Sequence, residues 1–290
     1  NKEYLYFEKG YGEPLGLSDR DYLDAGSNIA TKEDSYNKDI ICNPKAPTLS
    51  EQTLFGNGQT LFGWIHAVQG KQITDFLVNR KMTGIAWEDM FDNGRHSFWR
   101  NNELSGEAAI LHSFTFLGKV PNECKAALIG RGNVGRGAFR MLNKLGTDVI
   151  VYDRKTVHLL REEINQYDLI VNAVLWDPFR TDHIIYKQDL ALMKPKSMIV
   201  DISCDEGMGV ESSKPTTFND PIYIEDEIIH YAVDHTPTLF HKTATACISN
   251  VVARFIDNLV EDKNDTVIEA ATIVRKGIVL DERIKRFQGR

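Results

Sequence analysis

Cysteine is scarce and scattered. The 290 residues hold four, Cys42, Cys124, Cys204 and Cys247. None forms a CxxC pair, so a structural zinc site or a redox dithiol is not expected, and no metal is assigned. Buried thiols in a reducing cytoplasm are the expectation. Long apolar runs are missing too. No stretch approaches the roughly 20 residues that a helix needs to cross a bilayer, and no membrane partner is expected. No signal peptide is recognised. An excess of positive charge is also missing: 34 Lys and Arg stand against 41 Asp and Glu, a formal net charge of -7. Such a surface repels a phosphate backbone, which makes nucleic acid a poor partner. Small anionic substrates remain possible, because local cations decide their binding. There is no internal repeat and no low-complexity linker.

What is present is ordinary for a folded protein, with 42% hydrophobic and 26% charged residues. The length exceeds one comfortable core and predicts two domains. The opening Asn1 to Phe7 reads as the middle of an α/β domain, so an upstream segment is expected to be missing, with any residues it gives to the site. Strands are predicted at residues 4–7, 39–42, 60–65 and 85–88, with helices at 18–25 and 71–80. From about residue 104 the rhythm changes. A long helix over 104–117 is followed by apolar strands at 126–129, 148–152, 169–174 and 198–202, with a helix at 137–145. Helices at 243–260 and 281–287 close the chain. This alternation predicts an α/β class with a doubly wound parallel sheet.

The sharpest motif is Gly130-Arg131-Gly132-Asn133-Val134-Gly135. Alone, a GxGxxG is weak. Here it follows an apolar strand, precedes a helix, and has Asp153 at the end of the next strand. Gly130 permits the tight turn and Gly132 lets the backbone approach a pyrophosphate. Gly135 lets the helix pack closely on the strand. The helix tip offers free amides and partial positive charge. These residues predict a nicotinamide dinucleotide, NAD or NADP. Asp153 favours NAD through the ribose hydroxyls, while Arg154 and Lys155 leave NADP open.

Two residues of the first hundred could serve proton chemistry. Lys45 lies between Pro44 and Pro47, which hold it in an extended loop. His66 ends an apolar strand and suits proton transfer near neutral pH. On the residues alone, a core histidine and a solvated lysine are the more ordinary readings.

The stretches Asn43-Pro44-Lys45-Ala46-Pro47, Gly58 to His66, Met193-Lys194-Pro195, Val200 to Gly207, Lys214 to Thr217 and His230 to Pro237 resemble the alanine dehydrogenase and transhydrogenase superfamily. The similarity covers nearly the whole chain. Within the superfamily, Gly63-Trp64-Ile65-His66 is most similar to the N5-(carboxyethyl)ornithine synthases. Asp234-His235-Thr236-Pro237-Thr238 and the region of Asn93-Gly94-Arg95 resemble the saccharopine dehydrogenases.

The resemblance implies a Rossmann domain inserted in a second α/β substrate domain. Residues 1–97 would form the first part of the substrate domain, 98–241 the dinucleotide domain, and 242–290 the returning C-terminal helices. It implies His66 as acid/base, Lys45 as carboxylate holder and Asp205 near the ribose and substrate, with Arg95 as a further substrate cation. It implies cofactor contacts from Gly130, Arg131, Gly132, Asn133, Val134, Gly135, Asp153, Arg154, Val174, Asp205 and His235, and from Asn102, where alanine dehydrogenases have serine. The family's N-terminal substrate arginine has no counterpart here. The implied activity is NAD(P)H-dependent condensation of pyruvate with the side-chain amine of a diamino acid, in a homo-oligomer. Alanine dehydrogenase chemistry, saccharopine-type chemistry and a non-catalytic dinucleotide sensor remain open as alternatives.

Overall fold

The computed structural model describes residues 1–290. In chain order its elements are β1 (Tyr6–Glu8), α1 (Asp19–Asp24), β2 (Asn28–Ala30), α2 (Lys32–Tyr36), β3 (Ile40–Cys42), α3 (Leu49–Gln52), β4 (Thr60–Gly63), α4 (Lys71–Asn79), β5 (Thr83–Ala86), β6 (Phe91–Asp92) and β7 (Arg95–His96). There follow α5 (Trp99–Leu117), β8 (Lys125–Ile129), α6 (Asn133–Lys144), β9 (Asp148–Tyr152), α7 (Leu160–Glu163), β10 (Leu169–Asn172), β11 (Met198–Asp201), β12 (Ile222–Glu225) and β13 (Ile228–Tyr231). The chain ends with α8 (His241–Val260), α9 (Thr266–Ala270), β14 (Thr272–Arg275), β15 (Ile278–Val279) and α10 (Glu282–Gln288). Two compact α/β units result: Asn1–Phe98 with Ala246–Arg290, and Trp99–Thr245.

The first unit is built on a five-stranded sheet of order β15-β14-β5-β4-β3, with β3, β4 and β5 parallel. Neighbouring residues of a strand point to opposite faces, and both faces are covered. Leu61 joins Ile65, Phe76 and Leu77 on one side. Phe62 joins Trp87, Phe98 and Phe255 on the other. That double burial is why β4 reads as a continuous apolar run. β1 and β2 form a separate parallel pair.

The second unit holds a six-stranded sheet of order β12-β13-β11-β10-β8-β9, parallel except for β12. Ala126, Leu128, Leu169 and Val171 pack under α5 and α6. Ala127, Ile129 and Ile170 face Leu160, Ile164 and Tyr167. Each buried Leu, Ile or Val contributes about 1.5–3 kcal/mol, so the apolar strands hold this sheet in the middle of the unit. The chain steps from β8 to β9 on one side and then to β10 on the other. The C-terminal end of β8 is therefore the switch point where open α/β sheets bind ligands.

The α/β parallel-sheet class read from the sequence is the observed one. Several boundaries moved. The first strand begins at Tyr6, after a 3-10 turn at Lys2–Tyr4. The strand expected over 60–65 stops at Gly63. The helix expected from residue 137 starts at Asn133, because Gly135 and Gly137 weaken the helical signal of turns that tertiary packing enforces. Three antiparallel hairpins, β6–β7, β12–β13 and β14–β15, extend the expected set.

Candidate active site

In the first unit, β3 and β4 run parallel with Cys42 opposite Phe62. Their C-terminal ends therefore open on the same edge of the sheet. The segment leaving β3 carries Lys45 and the one leaving β4 carries His66. The first segment crosses directly over the end of β4, where the Asn43 amide donates to the Phe62 carbonyl at 3.1 Å. A Cβ on Gly63 would lie 1.9 Å from the Asn43 carbonyl oxygen, so only glycine permits that crossing. The Asn43 side chain then accepts the Lys45 amide at 3.2 Å. A Thr48–Glu51 capping box starts α3 and ends the segment. Lys45 and His66 are both exposed at this edge.

His66 sits at φ +50°, the left-handed region that L-residues seldom adopt. Glu88, just beyond β5, holds it there. Its carboxylate accepts the His66 amide at 2.6 Å and the Ile65 amide at 3.2 Å. Burial raises the Glu88 carboxyl above its ordinary range, against the opposing pull of His66 and these amides. From the sequence Glu88 reads only as a strand end; its one signal is an acidic pair, Glu88-Asp89, closing an apolar run. Arg95 stands exposed on the β6–β7 hairpin. The next residue ties that hairpin down. His96 Nδ1 accepts the Phe98 amide at 3.1 Å, and its Nε2 lies 3.2 Å from the Glu88 carbonyl. Burial lowers the His96 pKa, which together with this bonding makes it a neutral structural imidazole.

The second unit brings the glycine residues to the switch point. Gly130 adopts φ +104°, and a Cβ there would meet the Ala173 carbonyl at 2.9 Å and the Val174 side chain at 3.1 Å. Gly132 is the N-cap of α6, with no side chain capping the helix. A Cβ on Gly132 would meet nothing within 4 Å. Uncapped amides of Asn133, Val134 and Gly135 at a roomy turn are what a pyrophosphate needs. At the end of β9, Asp153 accepts the Lys155 amide at 2.9 Å, and Arg131 lies 3.8 Å from its other oxygen. The Lys155 amide foremost, with the Arg131 guanidinium adding to it, lowers the Asp153 pKa and keeps the group ionised. Arg154 is exposed beside it.

The remaining predicted contacts belong to the same unit. Val174 follows β10 under Gly130. Asn102 is half-buried in the first turn of α5. Asp205 follows β11, near enough to raise the pKa of Asp201. His235 sits at φ +59° with its Nε2 2.6 Å from Asp234.

The model for the alanine dehydrogenase/PNT N-terminal domain matches residues 4–99, and the C-terminal domain model of the same family matches 154–284. The chain belongs to the alanine dehydrogenase/PNT family. A third model, the NAD-binding domain of D-isomer specific 2-hydroxyacid dehydrogenases, matches residues 90–206 and spans the glycine turn. As a member of the alanine dehydrogenase/PNT family the chain is an oxidoreductase that uses a nicotinamide dinucleotide. An N(5)-(carboxyethyl)ornithine synthase of Clostridium botulinum is 28% identical over 271 residues, covering 87% of this chain and 84% of that protein. An alanine dehydrogenase of Halomonas elongata is 29% identical over 282 residues, covering 84% and 76%. Among solved structures, an L-alanine dehydrogenase aligns with a TM-score of 0.83 at 21% identity, over 98% of this chain and 90% of that one, which shows the shared fold. No helix of the chain is long and apolar enough to cross a membrane.

Proposed function

We propose that this protein condenses pyruvate, or a similar 2-oxo acid, with the side-chain amine of a diamino acid such as ornithine, and reduces the product with a nicotinamide dinucleotide. The observation that carries this reading is the shared strand-end edge of Lys45 and His66, with His66 locked by Glu88. The similarity to the carboxyethylornithine synthase of Clostridium botulinum supports the choice of amine. The uncapped start of α6 and the carboxylate of Asp153 would hold the dinucleotide, which supplies hydride to the imine carbon.

Lys45 would pair with the oxo-acid carboxylate and fix the carbonyl. Attack by the amine creates an alcohol that must leave as water, so one proton moves off nitrogen and another onto oxygen. His66 would carry both, since an imidazole donates and accepts near neutral pH. Asp205 would stabilise the cationic imine before reduction. Arg95 is the proposed second cation for the substrate. Arg131, Gly132, Asn133, Val134 and Gly135 would line the pyrophosphate, with Asn102, Val174, Arg154 and His235 as the outer contacts. NADH is the proposed reductant, because an ionised Asp153 accepts from ribose hydroxyls and repels a 2′-phosphate.

The test is a substrate matrix: pyruvate and 2-oxoglutarate, each against ammonia, ornithine and lysine, with NADH and NADPH. Turnover that needs pyruvate and a diamino acid is expected. Ammonia sufficing alone would make this an alanine dehydrogenase, and a requirement for 2-oxoglutarate would make the chemistry saccharopine-like. Dinucleotide binding without turnover on any pair would mark a sensor. A larger kcat/KM for NADPH would overturn the cofactor choice.

A further inference from the structure

The segments that leave β10 and β11, the first of them lying under the glycine turn, are joined by a single buried carboxylate. Asp201 is 2% exposed at the end of β11. Its Oδ1 accepts the Asn172 side-chain amide at 2.9 Å and the Ser203 backbone amide at 3.2 Å. Asn172 ends β10, and its own Oδ1 accepts the Val174 amide at 3.3 Å. Ser203 closes the ring, its hydroxyl donating to the Val174 carbonyl at 2.5 Å. Val174 and Ala173 are the residues that a Cβ on Gly130 would strike. Two residues beyond Ser203 stands Asp205, across a Cys204 held at φ +57°.

We propose that Asp201 is a positioning residue whose Oδ1 sets the 173–174 segment under the glycine turn and the 203–205 segment that carries Asp205. This extends the dinucleotide reading of the turn and rests on it for its functional meaning. A carboxylate is a costly choice for a buried acceptor. Burial pushes Asp201 up to about 6, opposed by the Ser213 hydroxyl and then the Asn172 and Ser203 donors, and reinforced by the Asp205 charge. The titratable groups facing it are Asp205 and Cys204 on its own connection and Tyr223 on β12. The folded value lies above that of an exposed carboxyl. The neutral form therefore contributes stability that is present at low pH and lost as pH rises through about 6.

Two substitutions separate the acceptor from the charge. Asp201→Asn keeps an oxygen at Oδ1 and removes the titration; Asp201→Ala removes both. Backbone hydrogen exchange of the ligand-free protein is read at 173–174 and 202–206, at pH 5 and pH 7.5. In the alanine variant both segments should exchange at least about tenfold faster, while the asparagine variant keeps native protection. The Tm of the asparagine variant, relative to the native protein, should be higher at pH 7.5 than at pH 5. Native protection in the alanine variant, or equal loosening in both variants, overturns the proposal. Should the alanine variant not fold, Asn172→Ala removes the donor of the same bond, and unchanged exchange there overturns it equally. Binding of NADH by the native protein, followed by fluorescence on the same samples, tests the dinucleotide reading separately. Its absence would sink that reading without altering the exchange result.

Discussion

The carboxylate of Glu88 holds the backbone of His66, at 2.6 Å from its amide, in a left-handed conformation that a histidine rarely takes. Removing it leaves two amides without their acceptor. Glu88→Ala should cost about 1–3 kcal/mol of stability, chiefly through the part-buried Ile65 amide that loses its acceptor. Misplacing the imidazole by about 1 Å should cost roughly 10²-fold in turnover. Glu88→Gln retains an accepting oxygen and should recover part of both. Dinucleotide affinity should be unchanged in each variant. Thermal melts, steady-state kinetics and NADH binding check this, and full turnover in the alanine variant would remove Glu88 from the site.

His66→Ala and Lys45→Ala should each lose roughly 10²-fold or more in turnover, the usual scale for acid-base groups. Both sit exposed at a strand-end edge, so neither change should move the Tm appreciably. NADH titration should give native affinity. Near-normal kcat in either variant would exclude that residue from the proton chemistry.

Gly63→Ala probes how the lysine segment is placed. The added methyl would fall 1.9 Å from the Asn43 carbonyl oxygen, so the crossing segment must lift. Overpacking of this kind costs about 1–3 kcal/mol. The expected result is a lowered Tm and a raised KM for the oxo acid, with NADH affinity intact. A native KM at full stability would show that Lys45 is placed by something else.

The glycine turn was the most legible part of the molecule. Gly130, Gly132 and Asp153 announce themselves by spacing, because the proposed tight turn, close approach and ribose contact would each demand one residue type at one place. Lys45 and His66 were legible only through resemblance. Nothing local distinguishes either from an ordinary lysine or histidine. What singles them out is the parallel pairing of β3 with β4, a relationship between segments some twenty residues apart. Glu88 and Asp201 stayed hidden for a related reason. Each acts through backbone amides of another segment, or a neighbouring strand's side chain, and hydrogen bonds of that kind leave no periodic trace.

The sequence by itself determined the α/β class, the apolar strands and the glycine turn, since these follow from side-chain periodicity and from the freedom that glycine alone provides. Only the tertiary structure decided which strand ends share an edge, why Gly63 must be glycine, and which buried carboxylates hold the segments in place. Those features depend on contacts between residues distant in the chain, and burial decides them only once the sheet has formed.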